Sequence, residues 1–321
     1  MKHPEPILSV ILPTDSLATI QPVLEQLRRL ESPERLEVIL ISPAAEAIRD
    51  TATAETHFHS MVVCHVDSLA PLGVARAVGV MAASGRYVFM GETHSFLWPD
   101  ALDRLLEPLI QGEADLTVPA FVNANPISTF SWASFLCTYA RWGVGRKPGL
   151  IGDSPVYDFI GRREILTELG DRLPDCLTDH EGLFLKAFRE QKRRILFVPD
   201  ARIDHVNLES PHACLDEFFR FGRGVGKRRA ERWSYPRRLA YIAGGWLIPV
   251  VLMARAWVDV RRTLATEKVP LLSIPALLLI LTAKALGEVL GYAGVTSPND
   301  IERQTLYEVQ RFQFAPSWQP R

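Results

Sequence analysis

An α/β fold, with a mostly parallel sheet flanked by helices, is predicted by the first half of the chain, where short β-branched runs alternate with segments of helical period. Apolar residues make up 47% of the 321 and charged residues 23%, a balance that permits a large packed core. After about residue 210 the pattern changes to a basic block and two apolar runs, which predicts a helical C-terminal extension.

Ile7 to Leu12 reads as the first strand, followed by a helix over Ile20 to Leu30 with apolar residues at Ile20, Val23, Leu24, Leu27 and Leu30. Leu36 to Ile41 and Met61 to Val66 are the next strands, then comes a small-residue helix over Val74 to Ala83 and a fourth strand at Tyr87 to Met90. Pro99 to Ile110 is a helix with proline at its start, and Leu116 to Phe121 a fifth strand. Ligands of open α/β sheets bind beyond the carboxyl ends of the strands. Pro13-Thr14, Ser42-Pro43 and Gly91-Glu92-Thr93-His94 are therefore expected to line one rim.

The 36 basic and 37 acidic residues leave a net charge of -1, which excludes a globally basic nucleic-acid binder. Only 20 glycines and 23 prolines are present, too few for a disordered or collagen-like chain. The four cysteines (Cys64, Cys137, Cys176, Cys214) form no C-x-x-C pair, which argues against a disulfide framework and a cysteine-rich zinc site and for a reducing, cytosol-facing location. The amino terminus reads as no signal peptide, because its apolar stretch is cut short by Pro13 and Asp15.

Between Arg220 and Arg238 eight basic residues (Arg220, Arg223, Lys227, Arg228, Arg229, Arg232, Arg237, Arg238) face one acid, Glu231. The apolar runs Leu239 to Ala254 and Val269 to Ala283 follow, each shorter than the roughly 18–20 residues that cross a bilayer. A spanning hairpin would put Arg261, Arg262 and Lys268 on the far side, against the positive-inside bias. A monotopic, membrane-associating extension fits better, the basic block lying against anionic headgroups. The alternative is that these helices are buried in the protein's own core or in a homo-oligomer interface.

Chemistry concentrates in Pro71-Leu72-Gly73-Val74-Ala75-Arg76-Ala77-Val78-Gly79 and the strand that ends in Glu92 and His94. A glycine-opened helix carrying Arg76 suits a diphosphate, with which Glu92 and His94 could share a divalent cation.

These segments resemble the family 2 inverting glycosyltransferases of GT-A (Rossmann-like) fold. Leu8-Ser9-Val10-Ile11-Leu12-Pro13-Thr14 is similar to the family's first strand, and Gly73 to Gly79 to its glycine-opened helix ending A-R-N-x-G, with Ala77 in place of Asn. Phe159-Ile160-Gly161-Arg162-Arg163-Glu164 resembles the segment before the acceptor site, and Pro199 to His205 the P-x-A-x-x-x-H closing strand. The resemblance covers about residues 7–230. It implies a glycosyltransferase domain over 1–215 that takes a nucleotide-diphosphate sugar, and a basic, apolar helical region over 216–321.

Where the family carries an acidic D-x-D metal motif, this chain has an E-x-H variant, Glu92-Thr93-His94. Glu92, His94 and the downstream His205 are the expected ligands of Mn or Mg, which would neutralise the leaving diphosphate. The nucleotide-holding D-D-G-S is replaced by Ser42-Pro43-Ala44-Ala45, which leaves Pro13, Thr14 and Ser42 as positional candidates and Asp67 as a replacement base contact. Inverting transfer needs a carboxylate to take the acceptor proton. The resemblance places it in Thr178-Asp179-His180-Glu181, with Glu181 first, Asp179 second and His180 third, while a helix-capping role for Thr178 and Glu181 is the structural alternative. Asp153, Asp158 and Glu209 read as turn or cap residues. Trp132, Tyr139 and Trp142 read either as core or as a stacking surface for an acceptor sugar.

The family's Q-x-x-R-W signature of processive synthases is absent, which favours addition of single sugars. The expected function is a metal-dependent inverting glycosyltransferase on the cytoplasmic face of a membrane, acting on a lipid-linked or glycan hydroxyl. The rival is a binding or scaffold protein that keeps the fold without catalysis.

Overall fold

The computed structural model describes residues 6–178 and 182–319. In chain order the elements are β1 Leu8–Pro13, α1 Leu17–Arg28, β2 Leu36–Ser42, α2 Ala45–Thr53, β3 Ser60–His65, α3 Leu72–Ala82, β4 Tyr87–Met90, β5 Ser95–Leu97, α4 Ala101–Ile110, β6 Leu116–Asn123 and α5 Thr129–Thr138. There follow β7 Gly149–Ile151, β8 Ile160–Arg162, α6 Arg163–Thr167, α7 Leu173–Thr178, α8 Leu183–Glu190, β9 Ile195–His205, α9 Pro211–Arg232, α10 Tyr235–Ala243, α11 Ile248–Thr266, α12 Ser273–Tyr292 and α13 Asp300–Val309. This is the α/β layout with a C-terminal helical region that the sequence predicts.

The strands form one nine-stranded sheet among the described residues, ordered β3-β2-β1-β4-β8-β6-β9-β5, with β7 paired to β9. β1 pairs in parallel with β2 and β4, and β2 with β3. β8 runs antiparallel between β4 and β6, so β6 points the same way as β4. β1 and β2 are buried along their whole length, which is why they read as continuous apolar runs rather than alternating ones. Ser16 caps α1, its hydroxyl accepting from Thr19 N at 3.2 Å, and the helix buries Ile20, Val23, Leu24 and Leu27.

The chain divides into two compact units, Met1–Ala120 with Lys147–Asp204, and Phe121–Arg146 with His205–Arg321. The sequence boundary at residue 215 falls inside α9, in the second unit. The first unit holds the parallel strands and a core centred on Val10, Leu12, Val38 and Leu40 against α1 and α4. The second holds α5 and α9–α13 around Leu136, Leu277, Ile280 and Tyr307.

Two expectations for the C-terminal region change. The second apolar run is longer than the sequence pattern suggested: α12 has 20 residues and a mean hydropathy of 1.7, enough by length and composition to cross a membrane. Half of the basic block turns inward. Arg220 and Arg223 pair with Asp300, Arg229 with Glu288 at 3.0 Å, and Arg238 donates to the Tyr292 carbonyl at 2.8 Å.

Candidate functional site

The parallel register puts the carboxyl ends of β1 to β4 on one rim. Pro13 ends β1 and Thr14 follows it, buried, with its amide donating to Ile41 O at 2.9 Å. Ser42 ends β2, also buried, and its hydroxyl accepts from Ala44 N at 3.0 Å. Asp67 lies just beyond β3, fully exposed, 3.4 Å from His65 Nε2. Glu92 and His94 follow β4 and are buried.

Arg76 is not the solvated helix residue that its position alone would suggest. It is 5% exposed, because α3 packs against the sheet on one side and against α7 on the other. The close approach of α7 requires glycine at position 73, where a Cβ would strike Thr178 and the carbonyl of Pro174. Arg76 Nη2 lies 3.2 Å from Glu92 Oε1, Nη1 donates to Leu177 O at 3.5 Å, and the guanidinium stands over the Tyr157 ring. The expected phosphate partner thus has an internal carboxylate on the same rim.

Around Glu92 the polar groups are close-set. His94 Nε2 is 3.6 Å from Glu92 Oε2, and Ser95 Oγ donates to Asp158 Oδ2 at 2.6 Å. Asp158 is fully buried and left-handed, with φ 53°, a conformation that Asp and Asn tolerate better than other side chains. Burial, and then the adjacent Glu92 carboxylate, push its carboxyl well above the usual carboxylate range, while Ser95 and Arg76 pull the other way. Asp158 stands in a bend, as its reading as a turn residue expects, and its carboxyl also joins the groups around Glu92, which that reading does not include. The available signal was an acid placed directly before the apolar strand Phe159-Ile160, but its contact with Ser95 joins residues 63 apart.

His205 ends β9, the strand that lies between β6 and β5 in the sheet. It is fully buried, its ring centroid 4.0 Å from that of Tyr139 and 6.1 Å from that of Phe121. Burial, with the positive charge of Arg311 second, lowers its pKa to about 3, so the imidazole is neutral and in its metal-binding form. Trp132, Tyr139 and Trp142 are buried with it, Trp132 Nε1 donating to Pro126 O at 2.8 Å. Among the described residues they belong to the core, not to an exposed stacking surface.

Of the three expected ligands, Glu92 and His94 stand together in the first unit, and His205 opens the second segment of the other unit. One carboxylate and two imidazoles, His205 in its neutral form, would make an O/N/N donor set that leaves coordination positions open. Asp179, His180 and Glu181, the candidates for the proton acceptor, lie outside the described residues. They follow directly on Thr178, the last residue of α7.

Compared with known proteins, the chain matches no family model and no curated protein. Solved structures do match it. One is a crystal structure of GalNAc-T7 with UDP, GalNAc and Mn2+, at 16% identity over 63% of this chain and 43% of that one, with a TM-score of 0.49. Another is S. aureus TarS 1-349 in complex with UDP-GlcNAc, at 14% identity over 95% of this chain and 91% of that one, with a TM-score of 0.47. The chain spans less than half the length of GalNAc-T7 and of a longer TarS structure, of which it covers 39%.

Beyond the rim, Asn123, Asn125 and Asn207 form a buried amide network. Asn123 Oδ1 accepts from Ser131 Oγ at 2.9 Å and from Asn207 Nδ2 at 3.0 Å, and Asn207 N donates to Asn125 Oδ1 at 2.8 Å. Asn207 Nδ2 also reaches the carbonyl of His205 at 2.9 Å, which fixes the backbone on which the imidazole stands.

Proposed function

We propose that the protein is an inverting, non-processive glycosyltransferase of family 2 type, which moves a sugar from a nucleotide-diphosphate donor to a lipid-linked or glycan hydroxyl. The observation that carries this reading is the pairing of Glu92 and His94 on a rim that also holds Arg76, with His205 as the third ligand that the resemblance implies. A divalent cation held there would supply Lewis-acid stabilisation of the charge that develops on the departing diphosphate. Two imidazoles beside one carboxylate favour Mn over Mg, which prefers oxygen ligands and ideal octahedral geometry.

The chain's own residues do the rest. Arg76, paired with Glu92, exchanges part of that contact for the donor's phosphate oxygens and meets them with a planar fork of donors. Asp158, its carboxyl pushed well above the usual range by burial and Glu92, lessens the negative charge that an anionic donor meets on the rim. Asp179 or Glu181 takes the acceptor proton as the acceptor oxygen attacks from the face opposite the leaving group. Pro13, Thr14, Ser42 and Asp67 border the base and ribose. The site serves an acceptor at the cytoplasmic face of a membrane.

The test is transfer and hydrolysis by the full chain with a panel of nucleotide sugars, with and without Mn. Metal-dependent release of nucleoside diphosphate, abolished in E92Q, is the expected result. Absence of turnover, together with absence of nucleoside-diphosphate binding, favours the non-catalytic rival.

A further inference from the structure

α11 and α12 turn apolar residues outward, the wrong sense for a water-facing surface. On α11 and the turn before it, Leu247, Val250, Val251, Ala254, Trp257 and Val258 are exposed at helical spacing, while Pro249, Val260 and Thr263 face inward. On α12 and the turn before it the exposed stripe is Leu271, Leu272, Leu278, Leu279 and Leu286, and the ionisable Glu288 is buried. A surface helix of a globular protein normally shows polar residues on this side. α11 packs on α12, and α10 packs on α12 as well.

The inner face of α12 decides how such a surface can be used. A Cβ on Gly222 or Gly226 of α9 would strike the carbonyls of Lys284 and Glu288, and one on Gly287 or Gly291 of α12 those of Phe219 and Arg223. Two G-x-x-x-G pairs thus let the helix backbones touch. α9 also carries Asp216, Arg220 and Arg223, linked to Asp300 and Tyr307. If α12 crossed a bilayer, it would draw these charges into hydrocarbon at about 2.5–3.5 kcal/mol each. Only its outer face is free to meet lipid.

The exposed charge over residues 211–272 is predominantly positive. Lys227, Arg232, Arg237, Arg255, Arg261 and Lys268 are exposed, and the exposed acid over residues 211–272 is Glu231. A twofold contact between two copies would set like charges against each other, whereas an anionic lipid surface complements them. Trp246, 74% exposed, and Tyr235 supply the amphipathic rings that favour the headgroup level.

We propose that α10–α12 form a monotopic seat on an anionic lipid surface, lying in its plane, with the outer faces of α11 and α12 at the acyl boundary and α9 kept out of it. This deepens the membrane-facing part of the function proposed above, and binding is read without turnover, so either can fail while the other stands.

The experiment is flotation of the full chain with vesicles of phosphatidylcholine, with and without phosphatidylglycerol. The protein is expected to float with the anionic vesicles, to bind less at high salt and to be released by alkaline carbonate. V251D/V258D, at two exposed positions, is expected to lose at least about tenfold in vesicle affinity with an unchanged melting temperature, since ten-fold is only 1.4 kcal/mol. R255E/R261E is expected to lose the salt-sensitive part. Three results would each overturn the proposal: no flotation with anionic vesicles, flotation of V251D/V258D equal to that of the unaltered chain, or a carbonate-resistant chain that labels on both sides of sealed vesicles at L272C and L286C. A soluble dimer that V251D/V258D dissociates, without vesicle binding, would assign the surface to a second copy instead.

Discussion

The two units each bury a charged cluster, and the clusters are balanced differently. In the second unit Asp300 accepts from Arg220 and Arg223, and Asp216 accepts from Arg220 and from the Tyr307 hydroxyl at 2.7 Å. Every acid there has a guanidinium within reach, and Asp216 is held below its usual pKa despite burial by its hydrogen bonds to Arg220 and Tyr307. In the first unit one guanidinium, Arg76, serves two buried acids, Glu92 and Asp158, and Asp158 is pushed well above its usual pKa by burial and then by Glu92. A matched cluster is a structural tie. A cluster with a surplus acid beside the His94 imidazole is poised for a positive ligand.

The difference can be broken from either side. D300A leaves Arg220 and Arg223 without their shared acceptor and is expected to cost about 3 kcal/mol, read as a lower urea midpoint. Single removal of an acid from the other cluster is expected to cost far less, because in E92Q the remaining Asp158 loses the neighbouring charge that raised its pKa and ionises beside Arg76. The double variant E92Q/D158N strands Arg76 and should fall as far as D300A. A double variant no less stable than the sum of its parts would mean that the two acids do not substitute for each other.

A ligand-level effect comes next in size. E92Q, which removes a direct ligand, is expected to abolish measurable Mn binding, whereas D300A should leave it unchanged. Titration calorimetry separates the two, and equal losses would dissolve the distinction between the clusters.

The pH dependence is smaller. His205 has a folded pKa of about 3 against an unfolded value of about 6.5, so the unfolded chain binds the extra proton between these values. Its contribution to stability is complete above pH 6.5 and is lost as pH falls towards 3, at up to about 1.4 kcal/mol per unit. Asp158 has the opposite sign. Its raised pKa means that the fold keeps a proton which the unfolded chain releases above about 3.9, so stability is lost as pH rises through that window. D158N, which tolerates the left-handed backbone, should therefore melt higher than the unaltered chain, and by more at pH 8 than at pH 5. An advantage independent of pH would show that Asp158 is ionised in the fold.

Much of the rim was legible in the sequence because parallel strands buried on both faces leave unbroken apolar runs, so that the residues after β1, β2, β3 and β4 could be placed on one edge. β5, β7 and β8 were not read, since three residues carry no periodicity. α2 escaped because the stripe it buries, Ala45, Ile48 and Ala52, holds a single strongly apolar residue. The basic block was misjudged in part for a different reason. Its cations have acids of their own, but Asp300 lies 77 residues beyond Arg223 and Glu288 59 beyond Arg229, distances that no local pattern spans. Asp158 was hidden in the same way, by a partner on another strand. The pairing of Glu92 and His94 was visible as adjacent residues, while His205 could be added only through the resemblance.

The central claim is that Glu92, His94 and His205 hold a divalent cation. Electron paramagnetic resonance of the full chain titrated with Mn tests it most directly. One bound Mn per chain is expected, tightened by a nucleoside diphosphate and lost in E92Q, in H94Q and in H205Q. No bound Mn in the presence of nucleoside diphosphate, or a bound Mn that persists through all three substitutions, would contradict it.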